Sequence, residues 1–368
     1  MCIRDREYTI LSEYLDLPNL DFGDHLEHFD FTVTNLNRTV DISPMKATLG
    51  KVLFYDKELS IDGSISCGSC HKQEKAFADD VAFSEGIDGN LTDRNSFALG
   101  SFISLRLEYY GAEVSITTLT NKLFWDERAK NFVVQMTQTF NNPKEMGIDN
   151  TQLEDIVNSK EYYNILAKKA FDKEHLTHIE IKDAIAEFMA SFHSSKSPFD
   201  IALNEMWTGI TIDVDFDRFS DSENLGKQLF NQNCGSCHAS SLVPVSSNNT
   251  IRSANNGLDI EYSDQGIGAI SLNENENGKF KIPSLRNVSV TGPYMHDGRF
   301  ETLEEVVDFY NDGIQAHPNL HTSLEDSNGN PKKLNLNDIE KQALLDFLNT
   351  LTDNNFLTNP LFKDPFKF

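Results

Sequence analysis

Apolar residues recur at helical spacing in several stretches of the chain, and long polar segments separate them. Residues 1–40 are acidic and irregular, and read as an N-terminal extension. Ser43-Pro44 then opens a helix, with Ser as N-cap and Pro in the first turn. Leu49, Val52, Leu53 and Phe54 give that helix an apolar stripe. The same period predicts helices over Asp149–Asn158, Glu161–Phe171 and Glu180–Phe192. Ser197-Pro198 and Gly209 punctuate a linker near 196–220. Ser222–Asn233, carrying Leu225, Leu229 and Phe230, and Asn337–Leu351 read as further helices. Between them, Leu242–Lys279 is rich in Asn, Ser and Gly and predicts a long loop region. Phe356, Phe362, Phe366 and Phe368 mark residues 353–368 as a tail that packs on another domain.

Two of these helices open an internal repeat. Leu49-Gly50-Lys51-Val52-Leu53-Phe54 is answered by Leu225-Gly226-Lys227-Gln228-Leu229-Phe230. Each precedes the same pentapeptide, Cys67-Gly68-Ser69-Cys70-His71 and Cys234-Gly235-Ser236-Cys237-His238. Cys-x-x-Cys-His is the attachment signature of a c-type haem: two thiols bind the porphyrin and the His ligates iron. A thioredoxin-type pair needs no following His, and no βαβ pattern surrounds either copy. A zinc finger needs a second His pair at short range, yet no His lies between His71 and His175. The chain therefore reads as mainly α, with two cytochrome c-like haem domains and long loops. In such a fold an N-terminal helix crosses a C-terminal one, and the Gly of the repeat permits close approach. The expected units are 41–205 for the first haem and 206–352 for the second.

Composition narrows the partners. With 57 acidic residues against 32 basic ones, the formal charge is −25. Such a surface disfavours nucleic acid and anionic lipid, and suits a basic protein partner or simple solubility. No apolar run reaches the ~18 residues of a membrane span. Met1-Cys2-Ile3-Arg4-Asp5-Arg6-Glu7 has no apolar h-region. Because c-type haem is attached outside the cytoplasm, the expectation is a periplasmic protein whose signal lies upstream. A lipid anchor is possible, but Cys2 could carry one only within a lipobox, and none is visible.

Further motifs carry a resemblance over about 42–352. They are Leu59-Ser60, Phe124-Trp125-Asp126-x-Arg128-Ala129, Glu145-Met146-Gly147 and Ser197-Pro198-Phe199-Asp200. Most specific are Lys281-Ile282-Pro283-Ser284-Leu285-Arg286-Asn287-Val288 and Thr291-Gly292-Pro293-Tyr294-Met295-His296-Asp297-Gly298. With the haem motifs, this set resembles the bacterial di-haem cytochrome c peroxidases and their relative MauG, which oxidises a protein substrate.

The resemblance implies a division of labour. Peroxide reacts at the first haem, where the family's distal acid and amide map onto Glu145 and Gln135. The acid would move a proton between the peroxide oxygens. Many relatives also hold a distal His after the first motif; Ile87 stands at that position, which implies an open or water-bound iron, with His25 and His28 left as other candidates. The second haem relays electrons. Its sixth ligand maps onto Tyr310, as in MauG, with Met295 as rival. Trp125 corresponds to the Trp between the haems, where core packing is the plainer alternative. A calcium ion maps onto Asn95 and the carbonyls of Thr291 and Pro293. Two departures stand out: Glu127 replaces a Gly of the pattern, and Thr139 a distal-pocket Pro. The implied activity is reduction of hydrogen peroxide to water by a small cytochrome c or cupredoxin. A MauG-like oxidase of a protein and a non-catalytic electron carrier are the alternatives. A homodimer is the family's habit.

Overall fold

The computed structural model describes residues 43–100, 122–192, 194–206, 214–238 and 251–366. The extension 1–40, with His25 and His28, lies outside the described residues, as do Gly209, the first part of the 242–279 loop and Phe368. The chain is mostly helical. Its main helices are α1 (Pro44–Tyr55), α2 (Phe132–Asn141), α3 (Asn150–Asn158), α4 (Glu161–Phe171), α5 (His178–Ala190), α6 (Pro198–Met206), α7 (Asp221–Asn233), α8 (Leu303–Asp308) and α9 (Asp338–Asn349). One two-stranded antiparallel ladder, Ser253–Ala254 with Phe280–Lys281, is formed among the described residues.

Local chemistry sets the helix ends. Ser43 caps α1 through its side chain, which accepts from the Lys46 N–H at 3.4 Å, with Pro44 in the first turn. Reciprocal capping boxes start α3 (Asp149 and Gln152), α5 (Thr177 and Glu180), α7 (Ser220 and Glu223) and α9 (Asn337 and Glu340). The helix read over Glu180–Phe192 is therefore shifted: Glu180 closes the box rather than opening the helix, and α5 runs from His178 to Ala190.

The repeat in the sequence is a repeat in space. Helix α1 crosses α5, and α7 crosses α9. At each crossing a glycine meets the partner's backbone. A Cβ on Gly50 would lie 1.9 Å from the Ala184 carbonyl oxygen, and one on Gly226 would lie 1.8 Å from that of Ala343. Phe188 and Phe347, each one turn beyond the alanine, complete the two matching contacts. Only glycine permits this approach.

Two large apolar cores result. The first gathers Leu49, Leu53 and Phe54 of α1 with Ile181, Ile185 and Phe188 of α5. Phe356, Phe362 and Phe366, downstream of α9, are buried in it too. The arm thus packs on the first unit, held also by the Tyr55 hydroxyl donating to the Phe362 carbonyl at 2.6 Å. The second core joins Phe230 to Phe347 and Leu348 of α9. It also takes Phe199, Ala202 and Leu203 of α6. The segment expected to be a linker therefore contains a helix, and that helix packs with the second core ahead of residue 206. Its anchor is buried: Asp200 pairs with Arg286 at 2.9 Å, and Arg286 also donates to the Ser194 carbonyl.

Candidate functional site

The second pentapeptide follows α7 directly, whereas the first comes after α1 and a further short turn, Lys57–Leu59. Cys67, Cys70 and His71 line a cavity of about 820 Å³, and His238 lines a narrower one of about 230 Å³ with Cys234 and Cys237. Both suit a haem by the chemistry of their donors. His71 Nδ1 lies 2.7 Å from the Phe77 carbonyl oxygen, and His238 Nδ1 lies 3.1 Å from that of Pro283. Each carbonyl takes the Nδ1 proton, which leaves Nε2 as the ligating atom. The first carbonyl is presented by two consecutive left-handed residues, Ala76 (φ 51°) and Phe77 (φ 62°). Burial holds both imidazoles in the neutral, ligating form, pushing His238 down to about 4 and His71 in the same direction.

Burial shifts the cysteines away from the thiolate form that redox exchange uses. Burial pushes the Cys67 thiol up to about 12 and Cys70 up to about 11. Cys234 rises to about 12 for the same reason, and Cys237 also rises. A working dithiol pair needs the opposite shift, and none of the four forms a disulfide.

Gln135, Thr139 and Glu145 line the first cavity together with His71. Helix α2 places Gln135 and Thr139 one turn apart on one face, and Gln135 Nε2 donates to Thr139 Oγ1 at 3.4 Å. Glu145 follows on the loop after α2, where Asn142 Nδ2 donates to its Oε1 at 2.7 Å. Burial raises the Glu145 carboxyl, against hydrogen bonds from Asn142 and Thr139 and the charge of Arg128. Thr139 therefore touches both the amide and the acid. Ile87 is buried behind this loop: its N–H donates to the Glu145 carbonyl at 3.3 Å, and its side chain packs over Gly147. It is not among the residues lining the cavity.

Trp125 lines both cavities. Its Nε1 donates to the Asn95 carbonyl at 2.9 Å, and its ring packs on Phe97 at 4.1 Å between centroids. Phe97 also lines both cavities and escaped the sequence reading, because it lies in a segment without periodicity. Arg94 ties the region together, pairing with Asp126 and with Asp264 at 2.6 Å each. Glu127 sits at φ 58°, the left-handed region glycine favours, which explains the Gly of the motif it departs from.

In the second cavity Tyr310 and Met295 stand with His238. Tyr310 lies on a π-type turn, Phe309–Gly313, that continues α8; such turns recur at functional sites. Burial pushes its phenol up to about 12, and a hydrogen bond from Asn256 works against that. Asn95, Thr291 and Pro293, the residues mapped to calcium, line the same cavity. Asn95 Nδ2 donates to the Val81 and Ala82 carbonyls at 3.2 and 3.4 Å. Among the described residues no group of three His, Cys, Asp or Glu is gathered for a metal ion. No helix among them is long and apolar enough to cross a membrane.

Comparison with known proteins places this geometry. Residues 44–206 match the family model described as di-haem cytochrome c peroxidase. The chain is 30% identical over 354 residues to the methylamine utilization protein MauG of Paracoccus denitrificans, covering 84% of this chain and 89% of that one. It is 31% identical over 267 residues to cytochrome c551 peroxidase of Nitrosomonas europaea, covering 71% of each. A crystal structure of a MauG-like protein associated with microbial copper homeostasis superposes with a TM-score of 0.71 at 30% identity, covering 88% of this chain and 94% of that one.

Proposed function

The chain belongs to the family of di-haem cytochrome c peroxidases and MauG-like proteins, and on that premise we propose that it reduces hydrogen peroxide to water at the first site. Two haems c, held by Cys67, Cys70 and His71 and by Cys234, Cys237 and His238, supply the iron for peroxide binding and electron storage. The reading is supported by one observation: Glu145 and Gln135 line the same cavity as His71. A carboxyl raised by burial keeps a proton available and can carry it from one peroxide oxygen to the other. Asn142 fixes the carboxyl, and the Gln135 amide orients the substrate without titrating. Two electrons and two protons convert each peroxide to two waters. The electrons come from a small redox protein through the second site, where Tyr310 is the proposed ligand opposite His238 and Trp125 the proposed bridge. Asn95, Thr291 and Pro293 would hold a calcium ion between the units, and the protein would work in the periplasm.

A MauG-like oxidation of a protein is the second reading. It is favoured by Tyr310 in the second cavity and by the likeness to MauG. Steady-state peroxide reduction with a reduced small cytochrome c and with a reduced cupredoxin separates the readings. Turnover that falls in Glu145→Ala, with both haems retained, supports the peroxidase. Peroxide consumption only in the presence of an oxidisable protein supports the oxidase, and no consumption with any of them leaves an electron carrier.

A further inference from the structure

Asn256 lies two residues beyond the short strand Ser253–Ala254 and lines the second cavity. Its side-chain nitrogen is 3.3 Å from the Tyr310 hydroxyl and 3.7 Å from the Met295 sulfur. The two side chains that compete for the position opposite His238 therefore share one donor. The segment around it is pinned. Asn255 is buried, its Oδ1 accepts from the Gly257 N–H at 2.8 Å and the Tyr262 hydroxyl at 3.2 Å, and its Nδ2 donates to the Asn277 carbonyl at 3.2 Å. Met295 is held in turn by a left-handed backbone, φ 74°.

A donor placed between these acceptors does not treat them alike. A phenolic oxygen is a strong acceptor and a thioether a weak one. A phenol that ligates ferric iron does so as the phenolate, having lost its proton, and that oxygen accepts more strongly than the neutral phenol, so its hydrogen bond is of the charge-assisted kind. We infer that Asn256 is a positioning residue that sets the axial ligand of the second haem, holding the Tyr310 oxygen on the iron in preference to the Met295 sulfur. This rests on the reading of Tyr310 as a ligand. Removal of the donor penalises the oxygen and hardly touches the sulfur. The ratio of the two ligation states then shifts by about ten- to a hundred-fold, from the usual strength of a hydrogen bond to a charged group.

The test uses holoprotein with both haems covalently loaded, as verified by mass. Ferric optical and electron paramagnetic resonance spectra and the potential of the second haem are recorded for wild type, Asn256→Leu, Asn256→Gln and Tyr310→Phe. Asn256→Leu is expected to move toward a thioether-ligated spectrum with a higher potential, as Met–His ligation gives. Adding Met295→Leu to that variant should abolish the new form. Asn256→Gln keeps an amide donor and should stay close to wild type. If Tyr310→Phe changes both signals while Asn256→Leu changes neither, the role of Asn256 is overturned and Tyr310 remains the ligand. If Tyr310→Phe changes nothing, the ligand reading fails and takes this inference with it.

Discussion

Gly50→Ala and Gly226→Ala each place one methyl group where two helices touch. The new carbon would lie 1.9 Å from the Ala184 oxygen in the first unit and 1.8 Å from the Ala343 oxygen in the second. A carbon–oxygen contact normally settles at about 3.3–3.6 Å, so the helices must part by roughly 1.5 Å. No rotamer change relieves the contact, because the atom met belongs to the partner's backbone. Overpacking of this kind costs about 3 kcal/mol, the upper part of its usual range. Alanine returns about 1 kcal/mol through its helix propensity. The net loss is ~2 kcal/mol, a fall in melting temperature of about 4–8 °C for units of this size. It also speeds amide exchange about thirty-fold where the unit opens locally. Hydrogen–deuterium exchange read by mass locates the effect. Gly50→Ala should speed exchange in α1 and α5 and spare α7 and α9, and Gly226→Ala should do the reverse. An unchanged or higher melting temperature, or faster exchange spread equally over both pairs, would refute the argument that these crossings are tight and separate.

Other changes probe the site and its supports. Burial raises the Glu145 carboxyl above its ordinary 4.5, so the folded protein holds a proton that the unfolded chain has released. Stability should therefore fall as pH rises from 4.5 through the raised value. Glu145→Gln should flatten that slope in denaturation measured against pH. Asp200→Ala strips the carboxylate from buried Arg286 and should cost about 3–5 kcal/mol in thermal or chemical unfolding; a loss below about 1 kcal/mol would mean the pair is not sealed from water. Phe356→Ala opens the first core and should cost about 3–5 kcal/mol, with faster exchange around Gln73 and Phe77 and little change near Phe347.

The features legible in the sequence were those with local causes. Ser43-Pro44 announced α1, and Gly50 and Gly226 announced the crossings because no other residue permits them. Helix α6 was hidden behind Ser197-Pro198 and Gly209, which read as punctuation. Yet Pro also favours a first helical turn, and Phe199, Ala202 and Leu203 carry the helical period. The cysteines and histidines of the motifs were plain, as was the likeness that pointed to Gln135 and Glu145. What surrounds them was not. Asn142 on Glu145, Phe97 on Trp125 and Asn256 on Tyr310 are contacts made by irregular segments folded against one another, and no period or spacing marks them. Thr139 was legible as a departure from pattern, but its link between the amide and the acid needed the α2 geometry.

The downstream arm also bears on how the protein comes to be made. Phe356 and Phe362 pack against Phe77, whose carbonyl orients His71. These aromatics lie beyond both pentapeptides, so synthesis delivers them after the second unit is complete. Domains generally fold in the order they emerge; here the unit that emerges first is finished last. The first core therefore closes only after the end of the chain has docked, and a chain cut after α9 should hold a closed second core and an open first one.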